Sequence, residues 1–353
     1  MSKPPYAVPS MVEIASLPWN GFNAVSTFSG CGGSSLGYKM AGFRVLWASE
    51  FIPAAQETYR ANHPKTILDT RDIRQVRPEE ILGAIGLKKG ELDLFDGSPP
   101  CSSFSTAGAR ESGWGKVKKY SDSAQRTDDL FFEFVRLING VQPKVFVAEN
   151  VSGLVKGTAK GYFLEILAAL KNCGYRVSCR ILDAQWLGVP QGRQRTIFVG
   201  VRNDLERLPV HPDPLPYRYS IKDALPWIGG RGSNPFPIER ETDISRYAIG
   251  AEWERVRIGG QSEKYFSLQR PSLDAPCPCV TQTTGNTGAA GVCHPTEQRK
   301  FSVAELRRIC SFPDDFILRG SYAQQVERLG RAVPPVMMQH IAATVRDRIL
   351  AKL

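Results

Sequence analysis

The chain has 353 residues, 42% of them hydrophobic, which is enough for more than one core and excludes a disordered polymer. A formal net charge of +10 suits a polyanionic partner, although it is spread too thinly to name one. With no apolar run of about 18 residues, no basic-then-apolar order in MSKPPYAVPS and eight irregularly spaced cysteines, a soluble, cytoplasmic chain with reduced thiols is expected, not a membrane or disulfide-framed one.

Residues 23–28 (NAVSTF) read as a short strand that runs into SGCGGSSLGYKMAGF, where Gly30, Gly32, Gly33 and Gly37 open a helix. Such a loop lets backbone amides at a helix N-terminus approach a ligand closely. The next apolar stretch, 43–48, ends at Glu50, an acid about 20 residues past the glycines and so placed to accept hydrogen bonds from ribose hydroxyls. In DTRDI, Asp72 stands at a possible third strand end, where it would accept from an adenine amino group; an N-cap or turn acid is the plainer alternative.

The stretch LDLFDGSPPCSSFS at 92–105 organises the rest. Its apolar run ending in Asp-Gly reads as a buried strand leaving a sheet, and Pro-Pro-Cys then holds one thiol, Cys101, on a stiff bend. A lone cysteine is ordinarily a small buried filler, so the nucleophile reading depends on its company. Residues 107–123, rich in Gly, Ser and Lys around Trp114, read as a mobile surface loop that either closes over a phosphate backbone or is plainly solvated.

Residues 128–139 have the spacing of an amphipathic helix, and 143–148 (PKVFVA) form a strand ending in Glu149, Asn150 and Val151. A helix over 161–172 and a strand over 175–182 follow. In 190–200 (PQGRQRTIFVG), Gln191, Arg193 and Arg195 alternate, so an extended backbone puts them on one face. From 203 to 294 the chain turns to Pro, Gly, Arg and aromatic residues with no clear helix, and helical period returns at 302–310 and 324–353. The pattern predicts an α/β fold: a doubly wound, mostly parallel sheet that binds ligands at its strands' carboxyl ends, with a second, smaller irregular domain. The expected boundaries are 20–202, 203–294, and 295–353 returning to the first domain.

Taken in order, FSGCGG, SPPCSSFS, AENV, VPQGRQR, SFPD and GRAVPP make the chain resemble the DNA cytosine C5-methyltransferases over nearly its whole length. The resemblance implies a Rossmann-like methyltransferase sheet and S-adenosylmethionine in the glycine loop, with Phe28 against the adenine, Glu50 on the ribose and Asp72 near the adenine amino group. It places Ile73, Pro99, Arg331 and Ala332 along the same cofactor site, and makes 203–294 a target-recognition domain for double-stranded DNA. Cys101 takes the nucleophile's role, adding to C6 of a cytosine flipped from the duplex so that C5 can attack the methyl group. Glu149 would protonate or hydrogen-bond N3, while Arg193 and Arg195 would orient the ring oxygen and favour the thiolate. A monomer in the cytoplasm, associated with the nucleoid, is expected, with no bound metal.

Four positions depart from the family pattern. Ser26 and Thr27 stand where an acid followed by Leu is usual, Ser102 follows Cys101 in place of Gln, and Arg331 replaces an Asn. An acid lost at Ser26 and a cation gained at Arg331 would make the pocket less hospitable to a cation, which raises a carboxylated S-adenosylmethionine as an alternative cofactor. Other readings stay open: a tRNA cytosine methyltransferase, a non-enzymatic DNA-binding relative, a dehydrogenase using the same glycine loop, and a zinc site built from Cys277, Cys279, Cys293 and His294.

Overall fold

The computed structural model describes residues 3–100, 118–119, 124–125, 129–155, 160–230 and 232–353; Cys101 and most of the expected loop at 107–123 lie outside the described residues. After α1 (Met11–Ser16), the chain alternates β1 (Asn23–Thr27), α2 (Gly33–Met40), β2 (Arg44–Ser49), α3 (Pro53–Asn62), β3 (Ile67–Asp69), α4 (Pro78–Ile85) and β4 (Leu94–Gly97). The two-residue strands β5 (Lys118–Lys119) and β6 (Ala124–Gln125) pair with each other. The alternation then resumes through α5 (Leu130–Val141), β7 (Val145–Val151), α6 (Lys160–Asn172), β8 (Tyr175–Asp183) and β9 (Gln194–Arg202).

Seven of these strands form one sheet in the order β3-β2-β1-β4-β7-β9-β8. The pairs β1–β2, β2–β3, β1–β4 and β4–β7 are parallel, and β7–β9 is antiparallel. Because the order reverses between β1 and β4, the crevice that receives a ligand in such sheets opens at their carboxyl ends. The expected doubly wound, mostly parallel architecture is what the chain adopts.

Burial explains why the central strands read as continuous apolar runs: all four residues of β4 are buried, as parallel strands covered on both faces must be. Helix α5 presents Leu130, Phe131, Phe134, Leu137, Ile138 and Val141 to that sheet at helical spacing. The Phe134 ring meets Phe95 edge-on at 5.7 Å and Phe146 at 6.0 Å. Truncating a phenylalanine so enclosed costs about 3–5 kcal/mol. Gly97 is required beneath it, since a Cβ there would lie 2.5 Å from the Phe134 ring.

The chain divides into two compact units, one holding the sheet (Leu17–Leu182, Gln194–Asp213, Met338–Leu353), the other made of Met1–Ser16, Asp183–Arg193 and Pro214–Met337. These bounds differ from the expected ones: the return to the sheet unit comes at 338 and the expected return was at 295. Long-range hydrogen bonds that no local pattern announces keep 295–337 with the second unit. Arg270 Nε donates to the Pro295 carbonyl at 2.7 Å, the Lys300 amide to that of Thr242 at 2.8 Å, and the buried Lys300 ammonium to that of Ala289 at 2.8 Å.

The second unit carries α7 (Ile221–Ala224), α8 (Ala248–Arg255), β10 (Gly260–Gln261), β11 (Gln269–Arg270), α9 (Val303–Ile309) and α10 (Tyr322–Arg331); α11 (Pro335–Arg348) lies mostly in the sheet unit. Helices α7 and α8 correct the expectation of no helix over 203–294. Ile249 and Trp253 of α8 pack with Ile244, Val256, Leu268 and Cys293 in a core of their own. The Gly250 between them, a weak helix former, is forced because a Cβ would meet the Ile244 carbonyl at 2.2 Å.

Candidate active site

β1 ends at Thr27, and the chain turns sharply through Phe28 (φ 53°), Gly30 (φ 56°) and Gly32 (φ 93°). Glycine takes such angles without strain, whereas the aromatic Phe28 pays for them, and strain of this kind collects at functional sites. At Gly32 a Cβ would also lie 2.3 Å from Nε2 of His63. Gly32 starts α2 with no side-chain cap. The helix therefore offers backbone N–H groups and the positive end of its dipole at the turn.

Glu50, the residue after β2, is buried and clamps that turn. Its Oε2 accepts from the Gly30 amide at 2.7 Å and its Oε1 from the Ile52 amide at 2.7 Å. The glycine loop and the acid after the second strand, paired only by spacing in the sequence, are thus in direct contact. Asp72 differs from its expected strand-end place: β3 stops at Asp69. Asp72 caps a 3-10 turn, accepting from the Arg74 amide at 3.0 Å and pairing with its guanidinium at 3.0 Å. Ile73 follows it into the core.

On the other side of the strand-order reversal, the loop leaving β4 is fixed at both ends of Ser98–Pro99. The Ser98 amide donates to the Thr27 carbonyl at 3.3 Å, and Asn150 Nδ2 donates to the Pro99 carbonyl at 3.1 Å. Glu149, one residue earlier on β7, is 8% exposed, and its Oε1 lies 2.7 Å from Nε of Arg195 on β9. The antiparallel register sets Glu149 opposite Ile197 and Val151 opposite Arg195, so the pair is a diagonal neighbour within reach of a long side chain.

Arg193 and Arg195, expected on one face, make different contacts. Strand β9 begins only at Gln194. Arg193 is buried in the second unit, where its guanidinium donates to the carbonyls of Val280 at 2.9 Å and Gly330 at 2.8 Å. Gln191 reaches the same segment, accepting from the Val280 amide at 3.2 Å. Arg331 closes α10 in the same unit, with Nε 2.9 Å from Oε1 of Glu327 one turn back, and Ala332 follows it as the helix cap.

The sequence reading missed Asp96. Inside β4 and 1% exposed, its Oδ2 accepts from Ser26 Oγ at 2.8 Å and its Oδ1 from the Tyr38 hydroxyl at 3.1 Å. Burial pushes its pKa up to about 7 from an ordinary 3.8, with nearby Glu149 acting in the same direction. The signal was the acid of the Asp-Gly that ends an otherwise apolar run. It also bears on Ser26: an acid stands one strand away, bonded to that serine.

The suggested zinc cluster is not assembled. Cys293 donates towards the Gly291 carbonyl, Cys279 lies by Arg193, and His294 Nδ1 accepts from the Glu297 amide at 3.1 Å. Among the described residues no three His, Cys, Asp or Glu side chains are grouped to hold a metal, and no helix is long and apolar enough to cross a membrane.

Residues 22–347 match the family of C-5 cytosine-specific DNA methylases. The chain is 30% identical over 348 residues to the Type II methyltransferase M.NgoPII of Neisseria gonorrhoeae, covering 94% of this chain and 97% of that protein. To M1.HphI, a Type II methyltransferase of Haemophilus parahaemolyticus, it is 32% identical, covering 91% and 86%. In fold it is similar to a DNMT2 variant of Spodoptera frugiperda, with a TM-score of 0.65 at 18% identity, over 90% of this chain and 98% of that one.

Proposed function

The chain belongs to the C-5 cytosine-specific DNA methylase family and is a DNA cytosine C5-methyltransferase, and from that premise we propose how its residues divide the reaction. The family's cofactor is S-adenosylmethionine, which when bound supplies an electrophilic methyl carbon. The pocket residues suit it: positive-φ positions at Phe28, Gly30 and Gly32 make a tight turn into the uncapped start of α2, Gly32 has no room for a side chain, and Glu50 is pinned beside the turn. Phe28, Gly30, Gly32, Gly33, Glu50, Asp72, Ile73 and Pro99 would hold the cofactor, with Arg331 and Ala332 assigned by resemblance alone.

Cys101 is the proposed nucleophile. Its thiolate forms a bond to C6 of the flipped cytosine, and the displaced electron pair is relayed towards N3, where Glu149 gives a proton or a strong hydrogen bond. C5, now electron-rich, would take the methyl carbon as that carbon's bond to the sulfonium sulfur breaks, the electron pair staying on sulfur to leave a neutral thioether. An ordered water removes the C5 proton, the electrons return to the ring, and the Cys101 thiolate leaves. The observation that carries this reading is the 2.7 Å contact between Arg195 and Glu149, which fixes one carboxylate oxygen and leaves the carboxyl aimed by rigid strands. Arg193, committed to two backbone carbonyls, supports this site by position and not by touching the base.

The decisive experiment uses a duplex with 5-fluorocytosine at the target, where C5 has no proton to lose. The enzyme should remain covalently attached in the presence of cofactor, and Cys101→Ser should not. A Cys101→Ser protein that still forms the adduct, or still methylates DNA, removes the assignment.

Several finer points belong to the same proposal. The enzyme acts as a monomer in the cytoplasm, alongside the nucleoid, on double-stranded DNA read by the second unit, and a restriction–modification setting fits relatives named Type II methyltransferases. A carboxylated cofactor is the second reading, favoured by the cation at Arg331 and opposed by Glu327 beside it and by Asp96. Mass spectrometry of nucleosides from DNA treated with each cofactor separates the two: 5-methylcytosine alone, formed equally well by Arg331→Asn, ends the second reading.

A further inference from the structure

A buried polar knot lies under the glycine turn, and the steps assigned above make no use of it. Asp96 on β4 stands in register with Ser26 on β1. Its two oxygens take hydrogen bonds from Ser26 and from Tyr38 of α2, so three elements converge on one carboxyl group. Ser29, in the turn itself, sits 3.2 Å from the Ser26 hydroxyl and donates to the Ser26 carbonyl at 2.9 Å. Charge placed on Asp96 is thereby linked through two hydroxyls to the turn that holds Phe28 and Gly30.

No lysine or arginine among the described residues is paired with Asp96, and burying a carboxylate without a cation is costly. The charged and titratable groups facing it are Tyr38 from α2, Tyr59 from α3 and Glu149 from β7, the last of these held by Arg195. None of the three is a cation. The carboxyl lies at the end of β4 where the strand order reverses, the place where sheets of this kind bind ligands. A buried carboxyl in that position, hydrogen-bonded only by neutral hydroxyls, suits a ligand that brings positive charge.

We propose that the Asp96 carboxylate is a positioning residue that supplies the negative charge favouring a cationic sulfonium cofactor over its neutral thioether product. The attraction would be present before methyl transfer and absent after it, because the sulfonium loses its charge with its methyl group. Binding is thus strengthened for the reactant and release eased for the product. The inference rests on S-adenosylmethionine being the cofactor.

Calorimetric titration of the full chain with S-adenosylmethionine and with S-adenosylhomocysteine, from pH 6 to 8, tests it. Both ligands carry the same amino-acid end, so its titration cancels in the ratio of their affinities. The wild-type preference for the sulfonium should grow roughly tenfold over this range as Asp96 ionises. Asp96→Asn should flatten that rise and leave thioether affinity within about twofold. Tyr38→Phe, which removes one donor to the carboxylate, should move the rise to higher pH and serves if the first variant folds poorly. A wild-type ratio that does not change with pH, or an Asp96→Asn protein that loses both ligands equally or neither, overturns the proposal while the cofactor assignment stands. A wild-type protein that binds neither ligand overturns both.

Discussion

Arg195 Nε and Glu149 Oε1 are 2.7 Å apart on adjacent antiparallel strands, so a proposed catalytic carboxyl is aimed by sheet and not by a loop. Removing the guanidinium leaves Glu149 where it is, buried and without the partner that fixes its oxygen. Arg195→Ala should therefore lower single-turnover methyl transfer by about 10²–10³-fold, in the range of other lost electrostatic contacts in active sites. DNA affinity should change much less. If Arg195→Ala turns over like the wild type, the pair is only structural.

Asp96 makes stability depend on pH in the opposite sense from a salt-bridged acid. Its folded pKa is raised to about 7 against an ordinary 3.8. Below the ordinary value both states hold the proton and nothing is lost. Between the two values the unfolded chain has released a proton that the folded chain keeps, so stability falls as pH rises, and above about 7 the loss is complete. It amounts to at most on the order of 4 kcal/mol. Denaturant midpoints at pH 5 and pH 8 should differ for the wild type and converge for Asp96→Asn, which should be the more stable protein at pH 8. A wild type equally stable at both pH values shows that the carboxyl is not buried as described.

Much of this was legible in the chain because it is local. The glycine turn, the acid after β2, the Glu149–Asn150 strand end and the alternating strands and helices are each written in a few consecutive residues. What stayed hidden depends on contacts between distant positions. Asp96 reads as an acid at a strand end, and only the surrounding β1 and α2 show it to be buried under the turn. The three alternating polar residues at 191–195 read as one face, but the strand begins at Gln194, which sends Arg193 and Arg195 to different partners. The short helix α8, interrupted by Gly250, owes its place to packing by Ile244 and Leu268 that no local pattern reveals.

Gly32 tests whether the turn has the shape assigned to it. Its φ of 93° disfavours any side chain, and a Cβ would sit 2.3 Å from His63 Nε2. Gly32→Ala should cost about 2 kcal/mol or more in denaturant unfolding and weaken S-adenosylmethionine binding together with it. Gly30→Ala offers the control: its φ is also positive, but nothing lies within 4 Å of the new methyl, so its cost should be the smaller of the two. Equal costs would show that the crowding against His63 is absent.

Arg193 separates a contact to the base from a role in holding the second unit together. Its guanidinium bridges the carbonyls of Val280 and Gly330, and Gly330 is packed so closely on the 281–282 backbone that a Cβ would lie 2.3 Å from the Thr281 carbonyl. Arg193→Ala would open this seam and strand two buried acceptors, at a cost of about 2–5 kcal/mol. Arg193→Lys, a single ammonium in place of a planar fork, should recover part of that stability but not both bonds. If the role is structural, methyl transfer by these variants should follow the folded fraction and return as the temperature is lowered. If Arg193 touches the flipped base, activity should stay low in protein shown by circular dichroism to be fully folded, and the assignment to the carbonyls would have to be abandoned.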